Sequence, residues 1–252
     1  MSMPSALFWT SFALAFPQAL WVRQRAPRFA EAGGLSVGEA GDSGPRRIRL
    51  LAVGDSIIAG VGARTLDRAL VGQLALSLAA HFQAAVEWQA FGKSGADARA
   101  ISNRLPPAPH PSIDLVLVSV GVNDAIGLNS SRRFRRDLKI LLQSLQTAAP
   151  GALLVFAGLP PLGIFPLLPQ PLRAVFGLRA TQFDAHLKQI LAAQERVLYV
   201  PVQFSGDPAL FSADGFHPSE AGYTKFAQII AKAVADSGFL AVNRDPLCTV
   251  TT

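Results

Sequence analysis

Cysteine is almost missing from this chain. Cys248 is the only one in 252 residues, so no intramolecular disulfide framework exists. Charge is also sparse, at 16% of residues, while half are hydrophobic, which excludes disorder over most of the length. There are only four histidines, and with the carboxylates they show no metal-ligand spacing, so neither a metal nor a cofactor is implied. Gly60-Val61-Gly62 is not followed by Gly-Lys-Ser/Thr, which removes a phosphate loop. No internal repeat is present. The net charge of +6 and pI near 10.1 invite a nucleic-acid partner, but no aromatic-interleaved basic stripe or zinc-finger spacing accompanies them, so none is expected. The arginines fall in clusters (Arg23, Arg25 and Arg28; Arg46, Arg47 and Arg49; Arg132, Arg133, Arg135 and Arg136), and arginine beside an apolar segment suits an anionic membrane surface.

The length allows one α/β domain with a full core and is short for two. Residues 1–28 form an uncharged apolar stretch with a basic flank. It reads as a membrane anchor or surface helix, with a cleaved signal or a helix packed on the domain as the alternatives. The arginines after it would leave the domain on the cytoplasmic side, and a periplasmic or secreted location is the alternative. Residues 29–46 are Gly/Ser-rich and read as a linker, residues 47–240 as the catalytic domain, and 241–252 as a tail. Within the domain, apolar strand-like runs at 48–53, 86–91, 113–120, 152–157 and 197–200 alternate with helical patterns at 68–82, 97–105, 131–147, 181–193 and 219–236. Continuous apolar strands separated by helices imply a parallel sheet covered on both faces. The expected architecture is a three-layer α/β/α flavodoxin-like sandwich with five parallel strands in the order 2-1-3-4-5, its chemistry gathered beyond the strands' carboxyl ends.

Polar residues cluster at those ends. Ser56 closes the first strand, where it could be a nucleophile or a helix-capping serine. Ile58 stands where a G-x-S-x-G elbow needs glycine. Of the histidines, His81 and His186 lie in helices, and His110 lies in a proline-rich connection before a strand's amino end. His217 alone sits in a turn-rich loop past the last strand. A serine nucleophile needs a neutral imidazole, and the imidazole needs a carboxylate to fix its tautomer. Asp214, three residues earlier across Gly215, can supply it; the alternative is a turn-forming Asp beside a surface His. The backbone N–H groups of Ser56 and Gly95 and the amide of Asn123 suit a developing oxyanion, although Gly95 and Asn123 also suit ordinary turns. Asp55 and Asp124 read as loop scaffolding.

Taken together, Gly54-Asp55-Ser56, Gly95, Gly121-x-Asn123-Asp124 and Asp214-x-x-His217 resemble the blocks of the SGNH hydrolases, the GDSL lipase/esterase family. The blocks span residues 54–218. The resemblance implies a flavodoxin-like sandwich and a carboxylic ester hydrolase. It also implies Ser56 as nucleophile and oxyanion donor, Gly95 and Asn123 as the other donors, and Asp214 with His217 as the remaining catalytic pair. Ile57 departs from the motif's leucine, a change of packing only. The chain is also similar to bacterial members with an apolar N-terminus. The apolar, proline-rich stretch 159–178 leaves a strand end beside the site and is expected to line an acyl groove through Phe165, Leu167, Leu168 and Phe176, with a core plug or a dock for the N-terminal helix as the alternative. A small-molecule or lipid ester is the expected substrate. A carbohydrate O-acetyl esterase or an acyltransferase using the same residues is the alternative.

Overall fold

The computed structural model describes residues 5–25, 29–42, 46–105, 113–202 and 206–242. His110, Cys248 and most of the expected tail lie outside them. The elements in chain order are α1 (Ser5–Arg25), β1 (Val37–Ala40), β2 (Arg47–Gly54), α2 (Leu70–Phe82), β3 (Ala85–Gly92), α3 (Ala98–Ser102), β4 (Leu115–Ser119), α4 (Val122–Ile126), α5 (Ser131–Ala148), β5 (Leu153–Ala157), α6 (Leu172–Leu191), β6 (Val197–Val200), α7 (Glu220–Asp236) and α8 (Phe239–Val242). One sheet runs β1-β3-β2-β4-β5-β6. Five strands are parallel and follow the expected 2-1-3-4-5 order, while β1 joins β3 antiparallel at the edge.

The sheet is buried on both faces, which is why its strands read as unbroken apolar runs. Successive residues alternate between two cores. Leu50, Ala52, Leu115, Leu117, Leu153 and Val155 face α2 and α7. Leu51, Val53, Val116, Val118, Leu154 and Phe156 face α5 and α6. Helix α5 is amphipathic: Phe134, Leu138, Leu141, Leu142 and Leu145 are buried at helical spacing, and the Ser130 hydroxyl caps its first turn by accepting from Arg133 N–H at 3.2 Å. Such a cap contributes about 1 kcal/mol.

Two expectations need correction, and a third region takes one of its stated alternatives. Residues 29–46 are not merely a linker, because Val37–Ala40 forms the edge strand, and only its last residue is buried. Helix α6 begins at Leu172, nine residues before the expected start. Pro166, Pro169 and Pro171 make the preceding stretch look irregular, but Pro171 is the N-cap, where its missing N–H costs nothing. Finally, α1 is packed on the domain: Phe8, Phe12, Ala15 and Val22 are buried against α6 and the 159–171 loop. Among the described residues no helix is long and apolar enough to cross a membrane. This third core also holds Leu162, Phe165, Leu168, Leu172 and Phe176, and Phe12 meets Phe176 with ring centroids 5.9 Å apart.

Candidate active site

The carboxyl ends of β2, β3 and β4 and the loop before α7 converge on one spot. After Gly54 the chain leaves β2 in a tight turn, closed by Ala59 N–H donating to Asp55 O at 3.0 Å and Val61 N–H to Ser56 O at 3.0 Å. This turn sets the Ser56 side chain at the sheet's rim, nearly buried at 9% exposure. Asp55 is fixed beneath it, accepting from Ile57 N–H at 3.1 Å and Ser119 Oγ at 3.0 Å. Burial pushes the Asp55 carboxyl up to about 6 despite these donations.

In the loop before α7, Gly215 adopts φ +64°, a conformation that side-chain-bearing residues avoid, and this folds the loop back on itself. Asp214 Oδ1 accepts from Phe216 N–H at 2.8 Å, His217 N–H at 2.9 Å and Ser212 Oγ at 2.8 Å. Its other oxygen, Oδ2, lies 2.6 Å from His217 Nδ1. Burial works against ionisation of Asp214, but the His217 ring, the two N–H groups and the Ser212 hydroxyl outweigh it and hold the carboxyl at about 2. The carboxylate is therefore charged at neutral pH and fixes Nδ1 as the protonated nitrogen. That leaves Nε2 as an acceptor, 3.0 Å from Ser56 Oγ. Ser56, His217 and Asp214 thus form one hydrogen-bonded chain.

The candidate oxyanion donors sit on the neighbouring loops. Gly95 has φ +78° in a turn closed by Ala96 N–H donating to Lys93 O at 3.1 Å. Among the described residues, the N–H groups of Ser56 and Gly95 donate to no protein acceptor. Asn123, in the first turn of α4, donates one amide hydrogen to Ala96 O at 3.0 Å, which leaves the second for a ligand. The same two loops are joined below by Ala98 N–H donating to Asp124 Oδ2 at 3.0 Å. Asn129 donates to Oδ1 at 3.1 Å, and burial pushes this carboxyl up to about 6. Asp55 and Asp124 are the scaffolding that the sequence suggests. Arg179 of α6 steadies the far end of α4 by donating to Ala125 O at 2.7 Å and Asn129 O at 2.6 Å.

An apolar cavity of about 40 Å³ opens beside Ser56 and His217, walled by Val120, Val122, Phe165, Phe211, Phe216 and Phe226. Of the expected groove residues, only Phe165 reaches it, packed edge-on against Phe211 and Phe216. Leu168 and Phe176 are buried under α1, and partly buried Leu167 packs beside them while its N–H donates to Gly215 O at 3.1 Å. The dock for the N-terminal helix is therefore what most of 159–178 provides. A wider groove of about 720 Å³ between β1, α2 and α7 contains none of the Ser56–His217–Asp214 residues.

Some of these residues were out of reach of sequence reasoning. Glu31 accepts from Ser94 N–H at 2.8 Å and Lys93 Nζ at 3.1 Å, and so clamps the Gly95 turn from the far N-terminal side. Nothing local marks it. Ser212 could have been found, since a hydroxyl two residues before a catalytic carboxylate is placed to donate to it. His186 lies in α6 away from the site, and burial lowers its pKa.

Residues 52–225 match the model of the GDSL-like lipase/acylhydrolase family. The chain is 26% identical over 204 residues to the GDSL-like esterase Rv1075c of Mycobacterium tuberculosis, covering 77% of this chain and 63% of that protein. The match thus spans less than two thirds of that relative's length. Among solved structures, the lipase Lip_vut3 from a goat rumen metagenome superposes with a TM-score of 0.60 at 20% identity over 76% of this chain and 98% of that one. A Clostridium thermocellum family 3 carbohydrate esterase gives 0.57 at 21% over 78% and 99%, and the M. smegmatis aryl esterase gives 0.56 at 19% over 75% and 99%. At these identities the structural likeness establishes the shared fold.

Proposed function

We propose that this chain, which belongs to the GDSL-like lipase/acylhydrolase family, is a carboxylic ester hydrolase that cleaves short-acyl esters through a covalent intermediate on Ser56. The observation that carries this reading is the Ser56–His217–Asp214 chain standing at the mouth of a cavity of about 40 Å³. One water needs roughly 10–15 Å³ of such space, so the cavity takes an acyl group of only a few heavy atoms.

In the first half-reaction, Ser56 Oγ attacks the ester carbonyl carbon while its proton passes to His217 Nε2. The carbonyl oxygen becomes an oxyanion within reach of the Ser56 and Gly95 N–H groups and the Asn123 amide. One such donor contributes about 3–4 kcal/mol to the barrier reduction. Collapse breaks the bond to the alkoxy oxygen, which leaves as the alcohol with the proton from His217. In the second half-reaction, His217 takes a proton from water, the water oxygen attacks the acyl carbon, and Ser56 leaves with its proton restored. Asp214 remains ionised throughout and stabilises the imidazolium between the two transfers.

The same cavity would take the acetyl group of an acetylated carbohydrate, which is the second reading. A series of p-nitrophenyl esters from acetate to octanoate, run beside acetylated xylan, tests both. Short-acyl specificity requires kcat/KM to be highest at acetate to butyrate and to fall beyond. An optimum at octanoate would overturn it. Release of acetate from xylan at a rate rivalling p-nitrophenyl acetate would favour the carbohydrate ester.

A further inference from the structure

Helix α1 carries no charge from Ser5 to Val22 and bears large apolar side chains on its inner side and on both flanks of its outer side. Its inner side holds Phe8, Phe12, Ala15 and Val22, buried against the domain. At about 100° per residue, the outer arc carries Trp9, Phe16 and Leu20 on one flank and Leu14 and Trp21 on the other, with Thr10, Ala13, Pro17 and Gln24 between them. The five large side chains on the flanks are exposed by 42% to 83%. A helix that is hydrophobic all round belongs between two apolar surroundings, and among the described residues the domain supplies only one. We propose that the outer side of α1 docks on an anionic lipid bilayer, lying in the interface without crossing it.

Three features point to lipid. Trp9 and Trp21 stand near the two ends of the exposed side, roughly 18 Å apart along the helix axis, and tryptophan favours the headgroup level. Arg23 and Arg25 follow directly, with the Arg25 guanidinium 5.4 Å from the centre of the Trp21 ring, so positive charge sits where anionic headgroups would lie. No acidic side chain precedes Glu31, so nothing on the helix repels such a surface. The inner side is already committed to the domain, which makes the contact lateral.

The docked side also leads to the site. Phe12 packs on Phe176 in the same core as Phe165, which walls the cavity beside Ser56. A bilayer under α1 therefore brings that cavity close to a phase in which poorly soluble esters collect. The proposal goes beyond the ester-hydrolase reading and stands or falls without any turnover.

The test is co-sedimentation of the full-length protein with vesicles of phosphatidylcholine alone and of phosphatidylcholine with phosphatidylglycerol. Wild type should bind the mixed vesicles, with a blue shift in Trp9 and Trp21 emission over the constant signal of buried Trp88. It should bind phosphatidylcholine vesicles more weakly. A Leu14→Glu, Leu20→Glu double variant should lose at least about tenfold in binding. Both side chains are exposed, so its melt and its activity on a soluble ester should match wild type. Should that variant fold poorly, Arg23→Gln with Arg25→Gln should remove the preference for the anionic vesicles. A wild-type protein left in the supernatant, or substituted proteins that all sediment as wild type does, would overturn the proposal. Sedimentation equilibrium supplies the remaining outcome: a wild-type dimer that the double glutamate variant dissociates would make this side a contact between two copies, and the lipid proposal would fail.

Discussion

Replacing Phe12 by alanine should loosen α1 from the domain while leaving the sheet intact. Phe12 is 7% exposed and meets Phe8, Phe16 and Phe176 at ring-centroid distances of 5.6, 6.0 and 5.9 Å. Truncating a buried phenylalanine to alanine costs about 3–5 kcal/mol. Alanine's better helix propensity returns roughly 0.5 kcal/mol. The net loss is about 3 kcal/mol, a large share of the roughly 5–15 kcal/mol by which a domain is stable. For a chain of this size that lowers Tm by about 6–12 °C. Leu14→Ala is the matched control: it lies two residues away on the exposed side at 83% exposure, and should change stability by less than about 0.5 kcal/mol. Urea midpoints and thermal melts on both variants supply the comparison. Rates on p-nitrophenyl acetate below 20 °C, a setting chosen at about the temperature of maximum stability, should match wild type in both. If the two variants melt together, α1 does not pack as described.

Asn123→Ala should lower kcat by about 10²–10³ with little change in KM, because the amide acts on the oxyanion. Loss of its bond to Ala96 O should cost only about 1 kcal/mol of stability, so a large fall in Tm with kcat intact would make Asn123 structural. Asp55 gives a pH signature. Its carboxyl sits at about 6 when folded against an ordinary value of 3.8, so the folded state holds the proton more tightly and stability falls as pH rises from about 4 to about 6. Asp55→Asn removes that cost while keeping an acceptor for Ile57 N–H and Ser119 Oγ. The variant should therefore gain on wild type between pH 4.5 and 7.5, by roughly 2 kcal/mol, and an equal urea-midpoint difference at both pH values would contradict this.

The parallel strands were legible because burial on both faces leaves no polar alternation. Leu115–Ser119 is apolar up to its last residue for that reason. Strand β1 was not, since VGEA is short, contains a glycine and a glutamate, and is paired on one side only. The Asp214–His217 pair was legible because three residues broken by a glycine let a loop close on itself. Glu31 was invisible, because its partners Lys93 and Ser94 lie more than sixty residues away and only the fold joins them. The cavity escaped notice for a related reason, its four aromatic wall residues coming from three separate segments. The docking of α1 was ambiguous in principle: with no charge from Ser5 to Val22, its sequence does not say which side faces the domain.

The central claim is that Ser56 is the nucleophile activated by His217, and covalent labelling tests it most directly. A p-nitrophenyl alkylphosphonate should add one phosphonyl group to the wild-type protein, mapped by peptide mass spectrometry to Ser56 with release of one p-nitrophenol. His217→Ala should label far more slowly. Ser56→Ala should not label at all and should lose about 10⁴–10⁶ in turnover with an unchanged melt. A folded Ser56→Ala protein that still turns over p-nitrophenyl acetate, or a phosphonyl group found on another residue, would contradict the account.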